Sequence, residues 1–200
     1  ENFNAYSAKV EITGKSIHPG SAKDAMINSV HISQEFDRML PQHMRPEHTE
    51  GYEGFNHLHD IHGSCEFTVM DYIIRNHDLN KAKKQCQDFL DIQDYLNKKY
   101  GYHMVKVTIE ESYLNMKEHI LEHMYIVDNA KEAMKQCGLE PKEVPIRGGT
   151  DGARLTYEGL PCPNLGTGGF NFHGPFEFVS VTMMEKQVEV LLKIIELNKG

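Results

Sequence analysis

The first 110 residues switch repeatedly between two hydrophobic periods, and that alternation limits the folds open to the chain. Residues 8–15, Ala8-Lys-Val-Glu-Ile-Thr-Gly-Lys15, alternate with period two, the mark of a half-buried strand. A turn at His18-Pro19-Gly20-Ser21 follows. Ser21 with Asp24 predicts the start of a helix, because a short oxygen side chain satisfies the free amides of a first turn. Ala25, Met26, Val30, Ser33, Phe36 and Leu40 then share one helical face, and Pro41 marks its end. Two strands are predicted over 52–61 and 65–75, the second rich in β-branched and aromatic residues that suit a pleated surface. A helix over 79–100 turns Ala82, Cys86, Phe89, Leu90 and Leu96 inward and stops at Gly101. Residues 105–109 supply a fourth strand. The order βαββαβ predicts a ferredoxin-like unit of the α+β class, an antiparallel four-stranded sheet with two helices on one face. Its other face is left for packing on something else.

After residue 112 the character changes. A helix is predicted over 119–137, ended by Gly138, and a short one before Gly159. Between 160 and 174 the chain is loop-rich and full of glycine. Thr182 with Glu185 reads as a capping box for a last helix that buries Val188, Leu191, Leu192 and Ile195. This part has little core of its own and reads as half of an α/β domain. Apolar surface is therefore expected to lie open beyond about residue 113, with association or partial disorder there.

Charge narrows the partners. Lys plus Arg total 21 against 29 Asp plus Glu, a formal charge of −8. With no basic block, the chain is a poor match for nucleic-acid phosphates or an anionic membrane. No apolar run approaches the ~18–20 residues of a membrane span. Cys65, Cys86, Cys137 and Cys162 are widely spaced with no CxxC pair, which favours buried thiols in a reducing, cytoplasmic setting. The chain opens at Glu1 in mid-pattern, so a piece of a longer polypeptide is expected.

Four places could carry chemistry. Arg147-Gly-Gly-Thr-Asp-Gly152 leads into a helix, and paired glycines let backbone amides approach a ligand while Arg147 suits a carboxylate. The same residues also fit a plain turn capped by Thr150 or Asp151, with Arg147 in a salt bridge. His173, flanked by aromatics in a Gly-rich loop, can offer a neutral imidazole to a metal, or be a simple surface residue. His18 in its turn can donate to a developing oxyanion, or be merely exposed. Arg75 ends a buried strand and needs either a carboxylate partner or solvent. His57, His59 and His62, and the i, i+4 pair His119 and His123, lack a completing donor set and read as surface.

In combination these segments resemble the M20 family of dizinc metallopeptidases, in its tripeptide-aminopeptidase branch. The resemblance rests on Ile17-His-Pro-Gly-Ser-Ala-Lys23, Glu50-Gly-Tyr-Glu-Gly-Phe55, Tyr72-Ile-Ile-Arg75, Ser112-Tyr-Leu-Asn-Met116, Pro145-Ile-Arg-Gly-Gly-Thr-Asp-Gly152, Gly159-Leu-Pro-Cys-Pro-Asn-Leu-Gly-Thr-Gly-Gly169 and Asn171-Phe-His173, in order along nearly the whole chain. It implies a catalytic-domain end over 1–5, a lid and dimerisation domain over 6–112, and the C-terminal part of the zinc-binding domain over 113–200. It places His173 on a zinc ligand and His18 on a lid histidine that reaches the partner subunit's active site. Arg75, Arg147 and, more weakly, Asn115 fall on substrate-gripping positions. The implied cofactor is a pair of zinc ions, the substrate a tripeptide, and the assembly a homodimer through the lid. The family's His-x-Asp motif, bridging Asp and Glu-Glu pair have no counterpart here, so the 200 residues alone are expected to be inactive. Another M20 dipeptidase or acylase, or a non-catalytic dimerisation module, is the competing reading.

Overall fold

The computed structural model describes residues 1–101 and 103–199. Contacts divide it into two units: a sheet unit of Asn2–Asn115 with Pro145–Gly149, and a second unit of Glu1, Met116–Val144 and the residues from Thr150 onward.

The sheet unit contains β1 (Asn4–Thr13), α1 (Ser29–Met39), β2 (Phe55–Gly63), β3 (Phe67–Asn76), α2 (Leu79–Tyr100) and β4 (Val105–Tyr113). The strands lie in the order β2-β3-β1-β4, all antiparallel, which is the ferredoxin-like arrangement. Alternation sets the register: Tyr6, Ala8, Val10 and Ile12 of β1 and Met70, Tyr72 and Ile74 of β3 are buried. They pack with Ile32 and Phe36 of α1 and Ala82, Phe89 and Leu96 of α2 into one core. The rings of Tyr72 and Phe89 meet edge to face at 4.9 Å. Tyr72 is buried to its hydroxyl, which donates to Asp37 Oδ1 at 3.1 Å, and burial followed by that carboxylate raises its pKa. Asp78 caps α2 by accepting from the Lys81 amide, and Gly101 closes it in the left-handed region at φ 64°.

The first helix starts later than the sequence suggested. Pro19–Ser21 forms a single 3-10 turn, Asp24 takes φ 56°, and α1 begins only at Ser29, where the Asn28 side chain accepts from the Val30 amide. The Ser21 to Asp24 spacing mimicked a capping box, but the chain between them turns the wrong way for a helix to propagate.

In the second unit, α3 (Lys117–Leu121), α4 (Met124–Gln136), α5 (Asp151–Tyr157) and α6 (Val181–Leu197) accompany a two-stranded ribbon of β5 (Gly169–Phe170) and β6 (Phe178–Val179). The helix expected over 119–137 is two helices. His123 caps the second at φ −128°, so His119 and His123 do not share a helix face. The helix expected to start at Thr182 starts at Val181, with Ser180 at its cap. Of the residues expected to be buried there, Val188, Leu191, Leu192 and Ile195 are all exposed, and Val190 is the buried residue of α6.

Candidate functional site

In the sheet unit, three of the predicted residues gather where β1 begins. Phe3 and Phe55 meet edge to face at 5.6 Å, and the Arg147 guanidinium lies over both rings at 5.3 and 5.6 Å. Its Nη1 donates to the carbonyls of Gly51 and Glu53 at 3.0 and 2.8 Å, and its Nη2 to Thr49 Oγ1 at 2.8 Å. A planar fork of donors suits this use. Arg147 therefore ties the 49–53 loop to the aromatic platform, through carbonyl oxygens rather than a carboxylate. Gly149 is needed for the same passage: a Cβ there would lie 2.4 Å from the Tyr113 ring. Thr150 caps α5, accepting from the Ala153 amide at 3.3 Å.

Arg75 is the cross-strand partner of both Ala5 and Phe55. Its Nη1 donates to the carbonyls of Tyr6 and Ile74 at 3.0 and 2.9 Å, and its guanidinium lies 5.4 Å from the Tyr113 ring centre. Among the described residues no carboxylate pairs with it. Burial lowers its pKa, since a half-sheltered guanidinium loses hydration, and Tyr113 offsets part of that. Asn115 donates from Nδ2 to the His77 carbonyl at 3.1 Å and from its amide to Asn4 Oδ1 at 2.9 Å.

His18 lies beyond the opposite end of β1, exposed, in the turn Pro19–Ser21. Its Nδ1 accepts from the Gly20 amide at 3.1 Å and its carbonyl from the Ser21 amide at 2.8 Å. Ten residues of extended chain rise about 30 Å. Arg75 and Asn115 stand at one end of that rise and His18 follows the other.

In the second unit, His173 is exposed, at φ 62°. Its amide donates to Glu177 Oε2 at 3.0 Å, and Asn171 Nδ2 donates to the Phe176 carbonyl at 3.2 Å. These bonds hold a left-handed backbone that costs a non-glycine residue energy. Beside them is a cavity of about 470 Å³ lined by Thr167, Gly169, Phe172, Glu177, Phe178, Val179 and Met184. Sequence reasoning passed over Glu177; its place four residues after His173 across Gly174-Pro175 is the turn signal that marks it. The Phe3 and Phe55 platform was passed over in the same way.

The ring of His77 packs on Phe3 at 4.2 Å, and the histidines read as surface make local contacts of their own. His62 pairs with Asp60 at 2.9 Å on β2, His57 and His59 are 6.2 Å apart beside a register shift, and His119 meets Tyr157 edge to face. Among the described residues no group of three or more His, Cys, Asp or Glu could hold a metal ion. No helix among them is long and apolar enough to cross a membrane.

A ferredoxin-like sheet unit carrying an exposed turn histidine, joined to a loop-rich α/β segment, defines a class. The chain belongs to the M20 peptidase dimerisation-domain family, whose pattern matches residues 1–103. Across 98% of its length it is 57% identical to Peptidase T of Clostridium perfringens (strain SM101 / Type A) and 52% identical to Peptidase T of Clostridium acetobutylicum, covering 48% of each. It thus spans about half the length of these relatives. Among solved structures it superposes on a tripeptidase from Staphylococcus aureus with TM-score 0.81 at 20% identity, over 98% of this chain and 52% of the other. The Bacillus cereus aminopeptidase PepT gives 0.79 at 19%, with the same shares. At such identities the structures establish the shared fold.

Proposed function

We propose that the chain forms the lid and the C-terminal catalytic segment of a dimeric M20 tripeptide aminopeptidase. The observation that carries this reading is the placement of His18 and the arginines at opposite ends of β1, about 30 Å of strand apart. A histidine so far from the carboxylate-binding end of its own subunit serves, in this reading, a second copy, as the M20 resemblance implies. In this reading the His18 imidazole donates to the carbonyl oxygen of the scissile peptide in the partner's site, where negative charge develops. Arg75 holds the substrate carboxylate with the donors its backbone bonds leave over. Arg147 shapes that end by fixing the 49–53 loop, and Asn115 holds the backbone beside it.

Zinc is the proposed metal, with His173 as one donor. The described residues do not by themselves fit a resident metal ion, because a catalytic site takes about three protein ligands per ion. The remaining donors belong, in this reading, to the half of the relatives outside the match, and no step through the metal is derived for this chain. The exposed apolar stripe of α6 supports the same division, since an apolar helix face is built to be covered. A cytoplasmic setting is supported by four free cysteines, of which Cys86 has its thiol pushed up to about 11 by burial.

The test joins the chain to the complementary half of a Peptidase T relative and mixes two inactive variants. Each His18→Ala and His173→Ala homodimer is expected to fail on a tripeptide. In a mixed dimer one site carries both defects and the other neither, so activity returns to about half per heterodimer. No recovery in verified heterodimers places His18 in its own subunit's site and sinks the reading.

A further inference from the structure

The turn that presents His18 has an accounting of amides that decides which imidazole nitrogen carries the proton. Pro19 has no N–H. The Ser21 amide goes to the His18 carbonyl at 2.8 Å. The Gly20 amide goes to Nδ1 of the His18 ring at 3.1 Å. A backbone amide can only donate, so Nδ1 must accept and carries no proton. In a neutral imidazole the proton then sits on Nε2.

We propose that the Gly20 amide is a tautomer lock: by occupying Nδ1 it fixes neutral His18 as the Nε2–H form and aims that single donor outward. The inference rests on the reading of His18 as the donor to a partner's oxyanion, and it adds what makes the donor ready. Turning the ring over would put a carbon where Nδ1 now accepts and forfeit the bond, so the lock fixes ring orientation as well as protonation. Moving the proton to Nδ1 would set two donors against each other. The cost of choosing the tautomer is thus met when the turn folds rather than when substrate arrives. Gly20 is a positioning residue, and its lack of a side chain is part of the device. A Cβ there would lie 3.2 Å from Nδ1 and 3.3 Å from Cε1, crowding the ring off the amide.

The test is nitrogen NMR of the ¹⁵N-labelled 200-residue chain, at a pH where its histidines are neutral. His18 is expected to show unaveraged Nδ1 and Nε2 shifts of the pure Nε2–H form, and a through-hydrogen-bond coupling between the Gly20 amide nitrogen and Nδ1. His48, an exposed histidine of the same unit, serves as reference and is expected to show shifts averaged over both tautomers. Gly20→Ala should lose the coupling and bring His18 to the averaged pattern. In the joined, dimeric peptidase the same substitution should lower kcat about tenfold with KM unchanged, less than the ~10²–10³ for removing a donor outright. Averaged shifts and no coupling in the wild-type chain overturn the lock, and so does a Gly20→Ala variant that keeps both signals. A His18→Ala enzyme with undiminished kcat overturns the oxyanion reading instead, whatever the spectra show.

Discussion

The two units put the same apolar residue types to opposite uses. In the sheet unit, aliphatic and aromatic residues close on one another, and sixteen of them form a continuous buried core. In the second unit the buried cluster is Met116, Ile120 and Ala153 with a few flanking residues, and Ala130, Ala133 and Val190 are buried outside it, while Val181, Met184, Val188, Leu191, Leu192 and Ile195 of α6 are 44–70% exposed. What separates the units is closure. Four strands and two helices make a complete layered unit. Four helices and a short ribbon do not, and α6 turns Val190 inward while most of its circumference stays open. On this contrast the sheet unit should fold on its own account, and the second unit should depend on a partner that covers α6.

Amide exchange should separate the two most widely. Amides of β1 and β3 are expected to exchange only on global unfolding of the sheet unit, and those of α6 through local opening, giving protection factors at least about 10³ apart. Hydrogen exchange read by mass spectrometry on the 200-residue chain measures this. Equal protection across the units would abolish the contrast. Adding the complementary half of a relative should slow exchange in α6 and leave β1 unchanged.

Core truncation probes the same contrast one side chain at a time. Phe89 is fully buried against Phe36 and Tyr72, so Phe89→Ala should cost about 3–5 kcal/mol in urea unfolding of the sheet unit. Leu192 is 57% exposed, and Leu192→Ala should fall within about 0.5 kcal/mol. A comparable loss at Leu192 would mean that α6 is already covered, by another copy or by its own unit.

Much of this was legible in advance, and what was missed has physical causes. The strand and helix periods of the sheet unit follow from burial on one face, so α2 stands out in the sequence at its observed bounds, 79–100. The start of α1 does not, because Ser21 and Asp24 carry the capping residue types without the backbone that capping needs. The inward stripe on α6 reads correctly as apolar and wrongly as buried: periodicity reports which residues want a partner, not whether the chain supplies one. Pro145–Gly149 joins the sheet unit through Arg147 and the Phe3 amide, a long-range choice that no local pattern announces. Single site residues stand out, His18, His173 and Arg147 in turns and Arg75 as a charge near the end of a strand, but their holders do not. Glu177 and the Gly20 amide are ordinary in sequence and acquire meaning only from where the backbone points them.

Capping offers a smaller effect confined to the closed unit. Asn28 accepts from the Val30 amide at the start of α1, so Asn28→Ala leaves a helix donor without its partner and should cost about 1 kcal/mol. Asn28→Asp, which keeps the acceptor, should restore nearly all of it. Urea unfolding of the three proteins decides the matter, and a loss that Asp fails to recover would assign Asn28 a role other than capping.

The smallest expected effect is a pH dependence on the sheet unit's surface. Glu35 of α1 accepts from Lys99 and from the Tyr100 hydroxyl of α2, and these bonds, led by Lys99, hold its carboxyl below the ordinary 4.5. A carboxylate depressed in the native state stabilises the fold fully above its unfolded value. That contribution is lost as pH falls through 4.5 towards the depressed native value. Glu35 is partly open to solvent, so screening keeps the effect small. Thermal melting should therefore show wild type above Glu35→Gln by about 2 °C at neutral pH, with the two curves merging as pH falls well below the ordinary carboxylate range. Because the pair joins α1 to α2, the difference should appear in the sheet unit's transition and leave exchange in α6 untouched. A Glu35→Gln variant that instead loosens α6 would show that the closed unit and the open one share stability, and the contrast between them would have to be redrawn.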